Sequence, residues 1–161
     1  RIRIGSHTRI DAYCVIQAAE AGVAIGDHVH LASGVTIGGA GGGEIQDFCS
    51  LSRGAAIFTS NDDYSGGAMS GPMVPMEFRN VTSARVVLEK HALIGSGSVI
   101  LPGVTIGVAA AVGALSLVSR SVAPFTVVAG TPARKIRMRD RSILEREQAF
   151  LAQRGRMRRG P

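Results

Sequence analysis

The sequence predicts an all-β chain wound as a parallel β-helix of about five coils, and three regularities carry that expectation. An aliphatic residue returns every six positions, a second small or β-branched residue stands two places before nearly all of them, and glycine directly follows many of them. The first two regularities give the period-two alternation of a short strand with one face turned inward, and the glycines supply corners. A six-residue unit cannot bury its apolar side alone, but three units make a triangular coil of roughly 18 residues that stacks on the coil below.

The aliphatic positions run Ile4, Ile10, Ile16; Ile25, Leu31, Ile37; Ile45, Leu51, Ile57; then Leu88, Ile94, Ile100, Ile106, Val112, Val118. Their companions two residues earlier include Cys14, Val29, Val35, Cys49, Ala55, Val86, Ala92, Ser98, Val104, Ala110 and Ser116. The unbroken register from Leu88 to Val118 argues against a sandwich, whose strands vary in length. Short insertions follow Ile16 and Ile37, the second in the glycine run 38–43, and they read as corner bulges. Between Ile57 and Leu88 the register is suspended, so a long loop at 58–87 is expected after the third coil, where excursions from a rigid scaffold usually carry function. The β-helix is expected to fill 1–132. Residues 133–161 read as a C-terminal helix near 142–153, opened by a Ser142 to Glu145 capping box and covering the open coil, followed by a basic disordered tail from Gly155 to Pro161.

Length and composition fit one domain: 161 residues, 21 glycines, no tryptophan and 4% aromatics. The formal charge is +6, yet ten of the 18 basic residues lie between Arg134 and Arg159, without interleaved aromatics. That pattern speaks against nucleic acid and for acidic small molecules. Cys14 and Cys49 show neither disulfide nor metal spacing, and no apolar run reaches a membrane span. The reading is a cytoplasmic protein without membrane insertion.

The run Ile94-Gly95-Ser96-Gly97-Ser98-Val99-Ile100-Leu101-Pro102-Gly103-Val104-Thr105-Ile106-Gly107, with Val112-Gly113-Ala114 and Ala129-Gly130-Thr131-Pro132-Ala133-Arg134 after it, resembles the left-handed parallel β-helix acyltransferases built on hexapeptide repeats. The segment Asp62-Asp63-Tyr64-Ser65-Gly66, Lys90-His91 and the terminal helix resemble the sugar acetyltransferases of bacterial surface-polysaccharide pathways. The resemblance implies a left-handed coil, acetyl-CoA as co-substrate with no metal, a small-molecule or lipid-linked sugar acceptor, and a homotrimer with sites between neighbouring coils. It implies that Ser96, Ala114 and Ser119 line the coenzyme A groove, that Arg134 and Arg137 face its phosphates, and that Asn61 and Tyr64 contact the acceptor. Related galactoside acetyltransferases carry a catalytic histidine just after the strand that opens the long loop; here that stretch reads Thr59-Ser60-Asn61-Asp62-Asp63. The base is therefore expected among Asp62, Asp63 and His91, with His30 as a further candidate.

Two other readings share the solenoid. A γ-type carbonic anhydrase would use histidines around zinc, and His28 with His30 supplies a pair. A scaffolding β-helix would leave the long loop and the Ala-Gly-x-Pro-x-Arg ending without work.

Overall fold

A computed structural model describes residues 1–157. Each six-residue unit forms one short strand and one corner. The first coil is β1 (Ile2–Ile4), β2 (Arg9–Ile10) and β3 (Val15–Ile16); the second is β4 (Val23–Ile25), β5 (His30–Leu31) and β6 (Thr36–Gly38); the third is β7 (Gly43–Ile45), β8 (Ser50–Leu51) and β9 (Ala56–Phe58). An excursion containing β10 (Ser60–Asn61) and β11 (Thr82–Ser83) intervenes. The fourth coil is then β12 (Val86–Leu88), β13 (Leu93–Ile94) and β14 (Val99–Ile100), and the fifth β15 (Thr105–Ile106), β16 (Ala111–Val112) and β17 (Leu117–Val118). A bridge at Val122 and β18 (Thr126–Gly130) begin a sixth coil, followed by β19 (Ala133–Met138) and α1 (Ile143–Met157).

Three parallel sheets form the faces of the prism. The first stacks β1-β4-β7-β12-β15, the second β2-β5-β8-β13-β16-β18, and the third β3-β6-β9-β14-β17. Their register puts the six-residue positions in columns: Ile4, Ile25, Ile45, Leu88 and Ile106 on one face, and Ile16, Ile37, Ile57, Ile100 and Val118 on another. Twelve of the fifteen are at most 4% exposed. The first coil is the exception: Ile4 is 50% exposed, since among the described residues no further strand stacks on β1 from the outer side. Among the described residues, no helix is long and apolar enough to cross a membrane.

The long loop does not disturb the stack, because β12 pairs with β7 and β14 with β9 across it. Its two limbs form a stem, Ser60 opposite Ser83 and Asn61 opposite Thr82, with Met69 bridged to Arg79 further out. The glycine run after Ile37 is the seat of this stem. A Cβ on Gly41 would collide with the carbonyl oxygens of Thr59 and Ala84, and Gly39, at φ +119°, lies against Ser60. The arm and the apparent bulge are therefore one feature.

Three expectations about the C-terminal part are corrected. The boundary at 132 falls inside an antiparallel hairpin, since β19 pairs with β18 and extends the second sheet. The Asp140 carboxylate accepts the Ser142 backbone N–H at 2.8 Å just before α1, rather than a Ser142 to Glu145 box setting its start. Finally, α1 lies along a corner instead of over the last coil. His7, His28, Phe48, His91, Ala109 and Phe125 form that corner, all with φ between 53° and 62°. Glu147 meets the fourth coil, Phe150 the third and second, and Arg154 the second and first. Seven helical residues rise about 10 Å, which matches two coils at about 4.8 Å each. The helix continues through Met157, into the stretch expected to be a tail; residues 158–161 lie outside those described.

Candidate active site

On the arm, the neighbouring aspartates have different partners. Asp63 accepts the Ser65 backbone N–H and the Ser65 hydroxyl, both at 2.8 Å. The Ser65 backbone bond, and then its hydroxyl, hold the Asp63 carboxyl below the usual range. Asp63 is thus occupied as a turn former. Asp62 makes no such turn bond; Arg79 from the returning limb donates to it at 3.5 Å, and its side chain is 38% exposed. Among the described residues, the Arg79 Nε is buried without a hydrogen-bond partner. Asn61 is half-buried on the stem, whereas Tyr64 is 87% exposed.

His91, expected as a base, is withdrawn from any acceptor. It is 7% exposed, stacked on Phe48 at 5.0 Å, and donates from Nε2 to Glu147 of α1 at 2.7 Å. Lys90 reaches the same carboxylate at 2.6 Å. Burial acts to raise the Glu147 carboxyl, but the hydrogen bonds from Lys90 and His91 outweigh it and hold the group below its usual range. His91 fastens the helix, and it stands at a different corner from the arm.

The zinc pair is likewise dispersed. Arg154 donates to Nε2 of His28 at 2.9 Å and of His7 at 2.8 Å. Burial first, then the Arg154 charge, pushes His28 down from its ordinary value. His30 points outward from the second face and donates from Nε2 to Asp11 at 3.0 Å, while Arg9 holds the other Asp11 oxygen at 2.7 Å. The His30 hydrogen bond, then that from Arg9, keep the Asp11 carboxyl low. Among the described residues, no three His, Cys, Asp or Glu side chains are grouped to hold a metal.

The residues expected around coenzyme A divide into three places. Ser119 and Arg134 line one cleft of about 400 Å³, with Arg120, Ser121 and Lys135, between the last coil and β19. Ser96 and Ala114 sit one above the other at the corner between the second and third faces, outside that cleft; Leu115 N–H donates to the Ser96 carbonyl at 2.9 Å. The turn between β18 and β19 lies over this corner, with the Thr131 hydroxyl donating to the Leu115 carbonyl at 3.2 Å. Arg137 is exposed on β19, opposite Val127. The three places thus carry small residues at the corner and guanidinium groups in the cleft and on β19.

Known proteins fit this geometry. The family described as hexapeptide repeat of succinyl-transferase matches residues 1–38 and 85–114. The dTDP-4-amino-4,6-dideoxy-D-glucose acyltransferase of Escherichia coli is 43% identical over 149 residues, which span 92% of this chain and 78% of that enzyme. AntD, an N-acyltransferase from Bacillus cereus solved with dTDP and 3-hydroxybutyryl-CoA, superposes with a TM-score of 0.92 at 38% identity, covering 96% of this chain and 81% of AntD. AntD has also been solved with a serine replaced, bound to dTDP-4-amino-4,6-dideoxyglucose and coenzyme A, and with an aspartate ten positions further along replaced, bound to dTDP and coenzyme A. A hexapeptide-repeat acetyltransferase from Vibrio cholerae complexed with acetyl coenzyme A gives a TM-score of 0.76 at 25% identity, covering 86% of this chain and 71% of that one. With this degree of likeness along nearly its whole length, on the same solenoid, the chain belongs to the hexapeptide-repeat sugar acyltransferases, which draw their acyl group from an acyl-coenzyme A.

Proposed function

We propose that this enzyme transfers an acetyl group from acetyl-CoA to the amino group of a dTDP-linked 4-amino-4,6-dideoxy sugar, a step in building surface polysaccharide. One observation carries the reading: Ser52 and Asp62 are the only serine and aspartate in this sequence with the ten-residue spacing of the pair replaced in AntD. The arm supports it independently, since Asp62 is the aspartate left free by the local turn. Asp62 accepts a hydrogen bond from the sugar amine and orients its lone pair on the thioester carbon. Asn61 and Tyr64 flank the sugar; Ser96, Ala114, Ser119, Arg134 and Arg137 take coenzyme A.

Ser52 and Asp62 stand at opposite ends of the third face. Six residues separate its corners, nearly 20 Å at about 3.3 Å per residue. A single sugar ring does not span that distance, so the site is shared: the arm of one copy meets the Ser52 corner of the next, in a homotrimer. Both cysteines are free thiols, which supports a reducing, cytoplasmic setting.

Incubating the purified protein with acetyl-CoA and dTDP-4-amino-4,6-dideoxyglucose tests the assignment by mass spectrometry of the sugar nucleotide. The expected product carries one added acetyl group; an unmodified sugar with intact coenzyme A binding overturns the acceptor.

A further inference from the structure

An amine acceptor reaches the enzyme largely as an ammonium ion, which has no lone pair until a proton leaves. The loop histidine of related enzymes is absent, and the four histidines of this chain are not equivalent. His7 and His28 use Nε2 to accept from Arg154, and His91 is buried against Glu147. His30 alone has an outward, 41% exposed side chain whose Nε2–H is held by a carboxylate, Asp11. Because ionised Asp11 only accepts, the His30 proton sits on Nε2 and the Nδ1 lone pair is left for another proton. An imidazole oriented by a carboxylate in this way is the arrangement that general bases require.

Its place on the solenoid is equally specific. His30 and Ser50 are register partners on adjacent strands of the second face, and Ser52 is two residues further on. One strand spacing and two residues of rise put the His30 and Ser52 Cα atoms about 8 Å apart. The charged groups facing the imidazole are Asp11 and, through it, Arg9 from the coil below; the coil above presents Ser50.

We infer that His30, oriented by Asp11, is a catalytic residue that takes the proton from the acceptor ammonium beside Ser52. This rests on the amino-sugar reading above. Nδ1 of neutral His30 removes one proton from R–NH₃⁺. The freed nitrogen pair attacks the thioester carbonyl carbon, forming the C–N bond. Collapse breaks C–S, the thiolate takes the second nitrogen proton, and His30 releases the first to solvent. The products are the N-acetyl sugar, coenzyme A thiol and one proton.

The test exploits the fact that alkaline pH performs this step without a base. An amine titrating near about 8, like an α-amino group, is already neutral at pH 9.5. His30→Gln and Asp11→Asn are compared with the wild type at pH 6.5 and 9.5, with coenzyme A affinity measured on each. The expected result for His30→Gln is a loss in kcat/KM for the sugar of at least about tenfold at pH 6.5, shrinking to within about twofold at pH 9.5, with partial rescue by added imidazole. Asp11→Asn should show the same trend in weaker form. Equal activity at pH 6.5, or a deficit of the same size at both pH values, overturns the role of His30. A wild type that leaves the amino sugar untouched removes the acceptor assignment itself, and the amine deprotonation with it.

Discussion

Asp62 and Asp63 are adjacent and chemically identical, and the arm separates them. The Ser65 amide and hydroxyl occupy Asp63, leaving Asp62 with one long contact to Arg79. Asp62→Asn should lower kcat/KM for the amino sugar by at least about tenfold while coenzyme A affinity, read by thermal shift, stays within twofold. Asp63→Asn should instead loosen the turn, with a smaller kinetic effect. The sequence offered this pair as candidates but not the choice between them, because turn bonds depend on local backbone geometry. His91 shows the opposite limit: its partner Glu147 lies 56 residues away on α1, a separation no motif encodes. Ser52 and Arg79 escaped the sequence reading altogether, the first as one small corner residue among many and the second in an aperiodic loop. For Ser52 the available signal is its column, shared with Asp11 and Ala32, each one residue after an inward side chain.

Among the elements, the strands were legible and the attachments were not. A fixed six-residue period determines which side chains face inward and therefore the stacking register. The arm and α1 are held by pairs without periodicity: the Ser60–Asn61 stem seated on the glycine run, and Arg154 and Glu147 on the corner ladder. Val122 and Val128 follow a four-residue step after Val118, so the sixth coil fell outside the simple count. Gly41→Val should unseat the arm, because its Cβ meets two backbone carbonyls; limited proteolysis within 62–80 should rise sharply while the solenoid persists. The helix clasp is pH-sensitive. His28 is held below its ordinary 6.5 by burial and by Arg154, so the unfolded chain binds protons more readily and this contribution is lost as pH falls from 6.5 downward. Glu147, held below 4.5, keeps its contribution until pH drops further, through its lowered value. Hydrogen-exchange protection of α1, taken relative to the intrinsic exchange rate at each pH, should therefore fall first at its Arg154 end between pH 7 and pH 5, and Arg154→Met should weaken that dependence without abolishing it, since burial of His28 remains.

At the scale of the whole molecule, one column-built core supports everything else. Leu51 is fully buried between Leu31 and Ile94 on the second face. Leu51→Ala should cost about 2–5 kcal/mol in chemical denaturation, whereas the same change at Ile4 on the exposed first coil should cost far less. The prism also places Ser52 and Asp62 on different corners of one coil, and on the proposed reading they meet across neighbouring copies. Mixing subunits tests that most directly. Ser52→Ala and Asp62→Asn homotrimers should each be nearly inactive, while trimers refolded from an equal mixture regain one intact site per mixed trimer, about a quarter of wild-type activity. Mixed trimers confirmed by native mass spectrometry that stay as inactive as either parent would contradict a site shared between neighbouring coils.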